Sequence, residues 1–253
     1  MSVETTPSPI QCDPDLLGQT VVVIGGSAGI GLETARRARA CGADLILAGR
    51  SPEPLRRASS ELGALGTAVF DATDPPSLER FFGGLLAPVD HIMVTAGRPT
   101  YGRLADMDLE QVRRALDEHL LLALHVARYA IGAVRPGGTL VFMGGTGARR
   151  PALGLAIAST VTAALPALIA NLALELAPVR VNLIAAGFVD TPLSASLLGD
   201  ELDNRREHLR ATLPIRRVVG PADVASLAVH IMVNTALTGA TYDVDGGQQF
   251  VDA

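Results

Sequence analysis

Apolar residues run along this chain in short blocks separated by longer stretches of helical periodicity. Blocks at 20–25, 44–49, 67–70, 91–95, 138–143, 180–184 and 241–244 have the length and β-branched content of strands. Helical patterns start near Gly29, Pro52, Pro75, Asp108, Pro151 and Pro221. Proline recurs at these starts because the N–H it lacks would have no partner in a first helical turn. Strand alternating with helix predicts successive βαβ units, hence an α/β fold around a parallel sheet. The strand blocks show no apolar/polar alternation, so helices are expected on both faces.

No repeat, charge block or serine-rich linker divides the 253 residues. Residues 17–253 therefore read as one domain. Residues 1–16, polar and proline-marked, read as an N-terminal extension without the basic start and apolar stretch of a secretory signal. Hydrophobic residues at 48 % against 19 % charged demand a large core. A net charge of −5 argues against nucleic acid as a partner, because that binding draws on cations that neutralise phosphates. Cys12 and Cys41 are too few for a disulfide framework, and no Cys/His spacing suits a metal, so a reducing, cytoplasmic setting without metal is expected.

Two segments stand out from this pattern. The uncharged stretch 151–174 is long enough to span a bilayer, but Ser159, Thr160, Thr162, Pro166 and Asn171 interrupt it and no aromatic anchors flank it. It reads as a helix buried between the sheet and a neighbouring subunit, not as a membrane span. The stretch 187–214 is polar and long for a connection, which suits a lid over a ligand.

Candidate chemistry begins after the first strand block, with Gly25-Gly26-Ser27-Ala28-Gly29-Ile30-Gly31 running into a helical pattern. Glycines there let the backbone turn sharply and approach a pyrophosphate, whose charge meets the N–H groups at a helix N-terminus. The strand–turn–helix context lifts this signal above that of a lone glycine-rich turn. The second strand block ends at Gly49-Arg50, where an NAD site would want a carboxylate for the ribose hydroxyl; room and positive charge favour NADP(H) over NAD(H). Arg50 also admits a plainer reading as a solvated loop residue. Asp71, followed by Ala72 after the third block, could accept from an adenine amino group or simply close a turn.

With these features in place, the chain resembles the short-chain dehydrogenase/reductases. The motifs that carry the resemblance are Gly25-xxx-Gly29-Ile30-Gly31, Asp71, Thr95-Ala96-Gly97, 175–182 (ELAPVRVN), Gly187-Phe188-Val189-Asp190-Thr191, Thr238-Gly239 and Asp245-Gly246-Gly247. The resemblance implies a Rossmann-type, doubly wound sheet of seven parallel strands, a bound nicotinamide cofactor, a small-molecule substrate and a homodimer or homotetramer. It also implies cofactor contacts at Ser27, Ala28, Ala72, Gly187, Val189 and Thr191, with Thr191 at the nicotinamide carboxamide.

The family's usual proton donor is a Tyr whose acidity is raised by a Lys one helical turn on, with a Ser and an Asn in support. By spacing, the Tyr falls on Ala158, the Lys on Thr162, the Ser on Gly145 and the Asn on His119. A register slip of one restores nothing, and the chain contains no lysine at all. His119 is the best substitute, since an imidazole donates or accepts near neutrality, although a helix histidine can also merely fill a gap. Thr146 and Thr162 carry hydroxyls nearby that capping explains equally well. Arg98, Tyr101, Arg103, Arg149 and Arg150 could line a substrate pocket suited to an anionic or bulky ligand, or be solvated charges. The expected function is an NADP(H)-dependent oxidoreductase acting on a carbonyl, alcohol or activated alkene with a non-standard proton donor. The alternatives are a catalytically inactive NADP(H)-binding sensor or assembly partner and, more remotely, an isomerase or cyclase.

Overall fold

The computed structural model describes residues 15–251. Cys12 and all but the end of the N-terminal extension lie outside the described residues; Leu16 is already fully buried in the core. Seven parallel strands form one sheet in the order β3-β2-β1-β4-β5-β6-β7. The strands are β1 (Thr20–Ile24), β2 (Asp44–Gly49), β3 (Gly66–Val69), β4 (Val89–Val94), β5 (Val134–Gly145), β6 (Arg180–Ala186) and β7 (Thr241–Val244). The order reverses between β1 and β4, which opens a crevice at their carboxyl ends, the usual ligand position of an open α/β sheet.

Successive side chains of a strand point to opposite faces, and both faces here are dry. Val22, Ile24, Ile92, Val94, Leu140 and Phe142 pack on one face under α3 (Pro75–Gly83), α5 (Leu122–Ala130) and α6 (Ala156–Glu175). Val21, Val23, Leu45, Leu47, Met93 and Val141 pack on the other under α1 (Gly29–Ala40), α2 (Pro52–Leu62) and α9 (Pro221–Val233). Each such side chain contributes about 1.5–3 kcal/mol by leaving water, which accounts for the missing alternation in the strand blocks. Pro52, Pro75 and Pro221 all open their helices, as the sequence suggests.

The helix expected near Pro151 starts instead at Ala156. Gly154 takes a left-handed conformation (φ 81°) and its carbonyl accepts from Gly102 N at 3.0 Å, so the chain turns before the helix can begin. That 20-residue helix is long and apolar enough to cross a membrane by composition, yet Val161, Leu165, Ile169, Leu172 and Ala173 are buried against the sheet layer. The helix expected near Asp108 is capped by the Asp108 side chain and broken in two, α4 (Leu109–Leu116) and α5, by a π-helical turn at Asp117–Leu121. The stretch 187–214 folds into a helical hairpin, α7 (Pro192–Leu198) and α8 (Leu202–Thr212). Cys41 is fully buried and disulfide-bonded, which removes the support that cysteine usage lent to a reducing compartment.

Two buried polar side chains brace the end of the sheet opposite the crevice. Arg180 donates to the carbonyls of Ile231, Met232, Asn234 and Leu237 at 2.7–3.1 Å, satisfying the last turn of α9 with a cation at its negative end. His91 is 3 % exposed; its Nε2–H donates to Gln19 Oε1 at 2.6 Å and Nδ1 has no partner. Burial, opposed by Asp90 and reinforced by Arg180, pushes its pKa down from 6.5 to about 4. The native ring therefore stays neutral where the unfolded one already binds a proton. Its contribution is intact above pH 6.5 and is lost as pH falls toward about 4, a change of roughly 3 kcal/mol over that window. In His91→Gln, urea melts across that range should show a flatter acid limb than the parent; parallel limbs would remove His91 from the acid response.

Candidate functional site

The crevice is built on a contact that leaves no room for side chains. A Cβ on Gly31 would lie 2.2 Å from Gly25 O and 2.5 Å from Thr95 Oγ1. Gly25, at φ 99°, would bring its own Cβ to 2.5 Å from Thr95 Oγ1. The end of β1, the first turn of α1 and the end of β4 thus meet backbone to backbone. Thr95 N donates to Ile24 O at 2.8 Å, and Gly25 N and Gly26 N both donate to Ala48 O. Helix α1 has no side-chain cap and no acid in its first turn, so its N-terminal N–H groups and positive end face the turn formed by Ser27 and Ala28. That is the chemistry an anionic pyrophosphate requires.

The rim of this cradle comes from three further loops. Gly49 lies beside Ser27, with room for a Cβ only 3.3 Å from Ser27 Oγ, and the exposed Arg50 follows without an ion pair among the described residues. Asp71 Oδ1 accepts from Thr73 N and Oγ1 at 2.9 and 2.8 Å, closing its own turn and leaving the other oxygen available, while Ala72 is buried. Thr191 Cβ stands 3.5 Å from where a Gly29 Cβ would sit, so the loop after β6 closes on the glycine turn. Thr191 is also the cap of α7, in a reciprocal capping box with Ser194. Gly187 and Val189 are held by Gly187 N to Val244 O and by the bridge from Val189 to Val219.

On the far side of β4, Gly97 (φ 108°) lies against the π turn, where a Cβ would meet Glu118 O at 2.7 Å, and Arg98 N donates to Glu118 Oε2 at 3.1 Å. His119 sits in that same turn. Its Nδ1–H donates to Ala115 O at 2.9 Å, so the neutral ring carries its proton on Nδ1 and offers Nε2 as acceptor. A crevice beside it is lined by Ala96, Glu118, Phe142 and Met143. A helix insertion of this kind often marks a functional position, because it turns one side chain out of the regular row.

Gly145, Ala158 and Thr162 come together at the end of β5. A Gly145 Cβ would lie 3.2 Å from Thr162 Cγ2, and Thr162 Oγ1 donates back to Ala158 O at 2.8 Å. Thr146 is buried next to them, with its N–H on Ala186 O. Arg149 does not join this group: it pairs with Asp243 on β7. Tyr101 is 59 % exposed at the mouth, where burial raises its pKa against the opposing pull of the Arg205 charge. Gly102, Arg103 and Leu104 line, with Leu153, Leu155 and Ser159, an open groove of about 310 Å³ beside it. Neither Arg205 nor the helix insertion is marked by any spacing or motif, since both depend on packing between distant segments. Among the described residues no group of His, Cys, Asp and Glu could hold a metal.

A sheet that reverses at a glycine-lined turn facing an uncapped helix end defines a Rossmann-type dinucleotide-binding architecture. A family profile described as enoyl-(acyl carrier protein) reductase matches residues 25–249. A short-chain dehydrogenase/reductase of Malbranchea aurantiaca is 28 % identical over 95 % of this chain and 98 % of its own length. Dehydrogenase/reductase SDR family member 4 of Oryctolagus cuniculus is 30 % identical over 93 % of this chain and 95 % of its own. Among solved structures, a small-chain dehydrogenase in complex with NADPH superposes with a TM-score of 0.80 at 27 % identity, covering 92 % of this chain and 99 % of that one. The MalC reductase/Diels-Alderase from Malbranchea aurantiaca superposes with a TM-score of 0.85 at 26 % identity, covering 92 % and 97 %. The chain belongs to the short-chain dehydrogenase/reductase family, whose members are oxidoreductases.

In Gly31→Ala, the added methyl meets backbone that cannot move without shifting β1. A stability loss of about 1–3 kcal/mol is expected, together with loss of dinucleotide binding, read by thermal melts with and without NADPH. An unchanged NADPH-induced shift in Tm would show that the cradle tolerates a side chain.

Proposed function

We propose that this chain is an NADP(H)-dependent reductase of a small carbonyl or activated-alkene compound, with the proton delivered by something other than a tyrosine–lysine pair. The observation that carries the reading is the intact cradle: Gly25 and Gly31 closed on Thr95, the open N-terminus of α1, and Thr191 seated against Gly29. Gly25, Ser27, Ala28, Gly29, Ile30 and Gly31 would hold the pyrophosphate, and Asp71 and Ala72 the adenine. Thr95, Ala96, Gly97, Gly187, Val189 and Thr191 would hold the nicotinamide half. Arg50, exposed and without an ion pair among the described residues, beside the side-chain-free Gly49, suits a 2′-phosphate and favours NADP(H) over NAD(H). The similar solved structure with bound NADPH supports the same preference. When bound, the cofactor supplies hydride.

This chain's own residues must then position the acceptor and manage one proton. His119 is the group best placed: with Nδ1–H held by Ala115 O, the doubly protonated ring would deliver its Nε2 proton and be left as the Nδ1–H tautomer. An activated alkene lowers the demand further, because a carbanion formed by conjugate addition can take its proton from water. The small floor of Gly145, Ala158 and Thr162 leaves space for a bulky acceptor.

A second reading, an NADP(H)-binding protein without redox turnover, is favoured by Thr162, whose hydroxyl is turned back onto Ala158 O. The similar Malbranchea protein, described as both a reductase and a Diels-Alderase, keeps a cyclase variant of that reading in view. For either reading we propose a homodimer or homotetramer. Such an assembly would cover the exposed Leu109, Leu116, Leu121, Leu124 and Leu174.

Calorimetric titration should give binding of NADPH, and Arg50→Asp should weaken it by about 10- to 100-fold while improving NADH. No binding of NADPH or NADP⁺ would end both readings. NADPH consumption against a carbonyl and activated-alkene panel separates them. His119→Gln should leave NADPH affinity in place and lower kcat by about 10²- to 10⁴-fold; unchanged turnover would exclude His119 as donor.

A further inference from the structure

Arg205 differs from the paired guanidiniums around it and, in being half-buried, from the exposed Arg210 of the same helix. Arg206 is bonded to Asp190 through two hydrogen bonds of 2.8 Å, and Arg217 is paired with Asp223. Arg205 has no ion pair and no hydrogen bond among the described residues, although the chain holds 26 acidic side chains against 21 basic ones. It is half-buried, and its Cζ lies 5.9 Å from the centroid of the Phe188 ring. Burial works against its charge, and the group that acts on it in return is the Tyr101 phenol. A desolvated cation without an anion is a state that folded proteins avoid unless something else completes it.

The position of this cation is fixed from two sides. Phe188 N donates to Gln248 Oε1 at 2.8 Å, which holds the aromatic platform, and the Arg206–Asp190 pair holds α8 in rotation. Tyr101 belongs to the loop after β4 and Phe188 to the loop after β6. Because β5 lies between those strands, the cluster spans the carboxyl end of β5, where Gly145 sits. With the guanidinium carbon placed over the ring and no hydrogen bond to the described residues, its N–H donors remain for a ligand, and their fork matches the two oxygens of a carboxylate. The Tyr101 hydroxyl supplies a further donor at the exposed side.

We propose that Arg205, backed by Phe188 and flanked by Tyr101, is a carboxylate-binding subsite, and that the substrate is a carbonyl or activated-alkene compound bearing a carboxylate. The inference rests on the reductase reading for where the acceptor lies.

The test is calorimetric titration of the NADP⁺-loaded protein with benzoylformate, methyl benzoylformate and phenyl phosphate. Benzoylformate should bind at least about tenfold more tightly than its ester, one charged hydrogen bond's worth. Arg205→Met should abolish the difference and leave NADPH binding intact, and Arg205→Lys, which keeps the charge but not the fork, should retain part of it. Should the Met variant fail to melt cooperatively, the Lys variant and Phe188→Leu decide in its place, each with a reduced preference. Equal binding of acid and ester, or a preference that survives these substitutions, overturns the subsite. Tighter binding of phenyl phosphate than of benzoylformate overturns the carboxylate assignment in favour of a phosphorylated substrate. If neither NADPH nor NADP⁺ binds, the reductase reading falls, and the acid–ester comparison on the cofactor-free protein judges Arg205 by the same criterion.

Discussion

The backbone contact among Gly25, Gly31 and Thr95 is the constraint from which the crevice follows. With a Gly31 Cβ site only 2.2 Å from Gly25 O, a single methyl would push α1 off β1. That pressure would reach Thr95, whose N–H and hydroxyl hold β4 to the end of β1. Once the three segments are locked, the axis of α1 points at the reversal of strand order, and the helix dipole and unfilled N–H groups are aimed there at no further conformational cost. The cradle is therefore pre-organised by packing and does not wait for a ligand to assemble it.

The loops on the other side of the crevice are held equally firmly by different means. Gly97 fits against the π turn, Gly187 against Asp245 and Gln248, and Asp190 is clamped by Arg206. Asp245 in turn ties down Gly247 N and Gln249 N at 2.8 and 3.0 Å. Three loops from three strands thus converge around a floor, Gly145, Ala158 and Thr162, that carries little chemistry. Tight geometry around a chemically sparse floor is the central tension of this molecule, and fold membership alone does not resolve it.

The sheet and the cradle were legible because they rest on local signals. Short continuous apolar blocks, glycine at forced backbone positions and proline at helix starts all act over a few residues. The start of α6 was misread because Pro151 looks like a first helical residue, while the turn that delays the helix depends on Gly154 reaching Gly102, some fifty residues away. The capping of α9 by Arg180 and the Arg205–Phe188 stack are long-range in the same way. Arg149 follows β5 as expected but turns to Asp243, a partner that sequence spacing could not nominate. The long polar segment 187–214 was legible as a separate feature; its two helices and their latch were not.

The absence of lysine sharpens what the site can do. A lysine beside a tyrosine serves as a charge and, when its pKa is lowered, as a proton carrier; a guanidinium serves only as the former, because it does not give up its proton in a protein. Every cationic side chain near this crevice apart from histidine is therefore a fixed charge, able to orient or neutralise an anion but not to relay a proton. On the proposed reading, recognition and proton transfer fall to different residues, Arg205 and Arg50 toward anionic groups, His119 or water toward the proton. On that reading the two tasks are assigned to separate side chains above a floor made of Gly145, Ala158 and Thr162. Their separation ties turnover to how the substrate's own charge seats it between them.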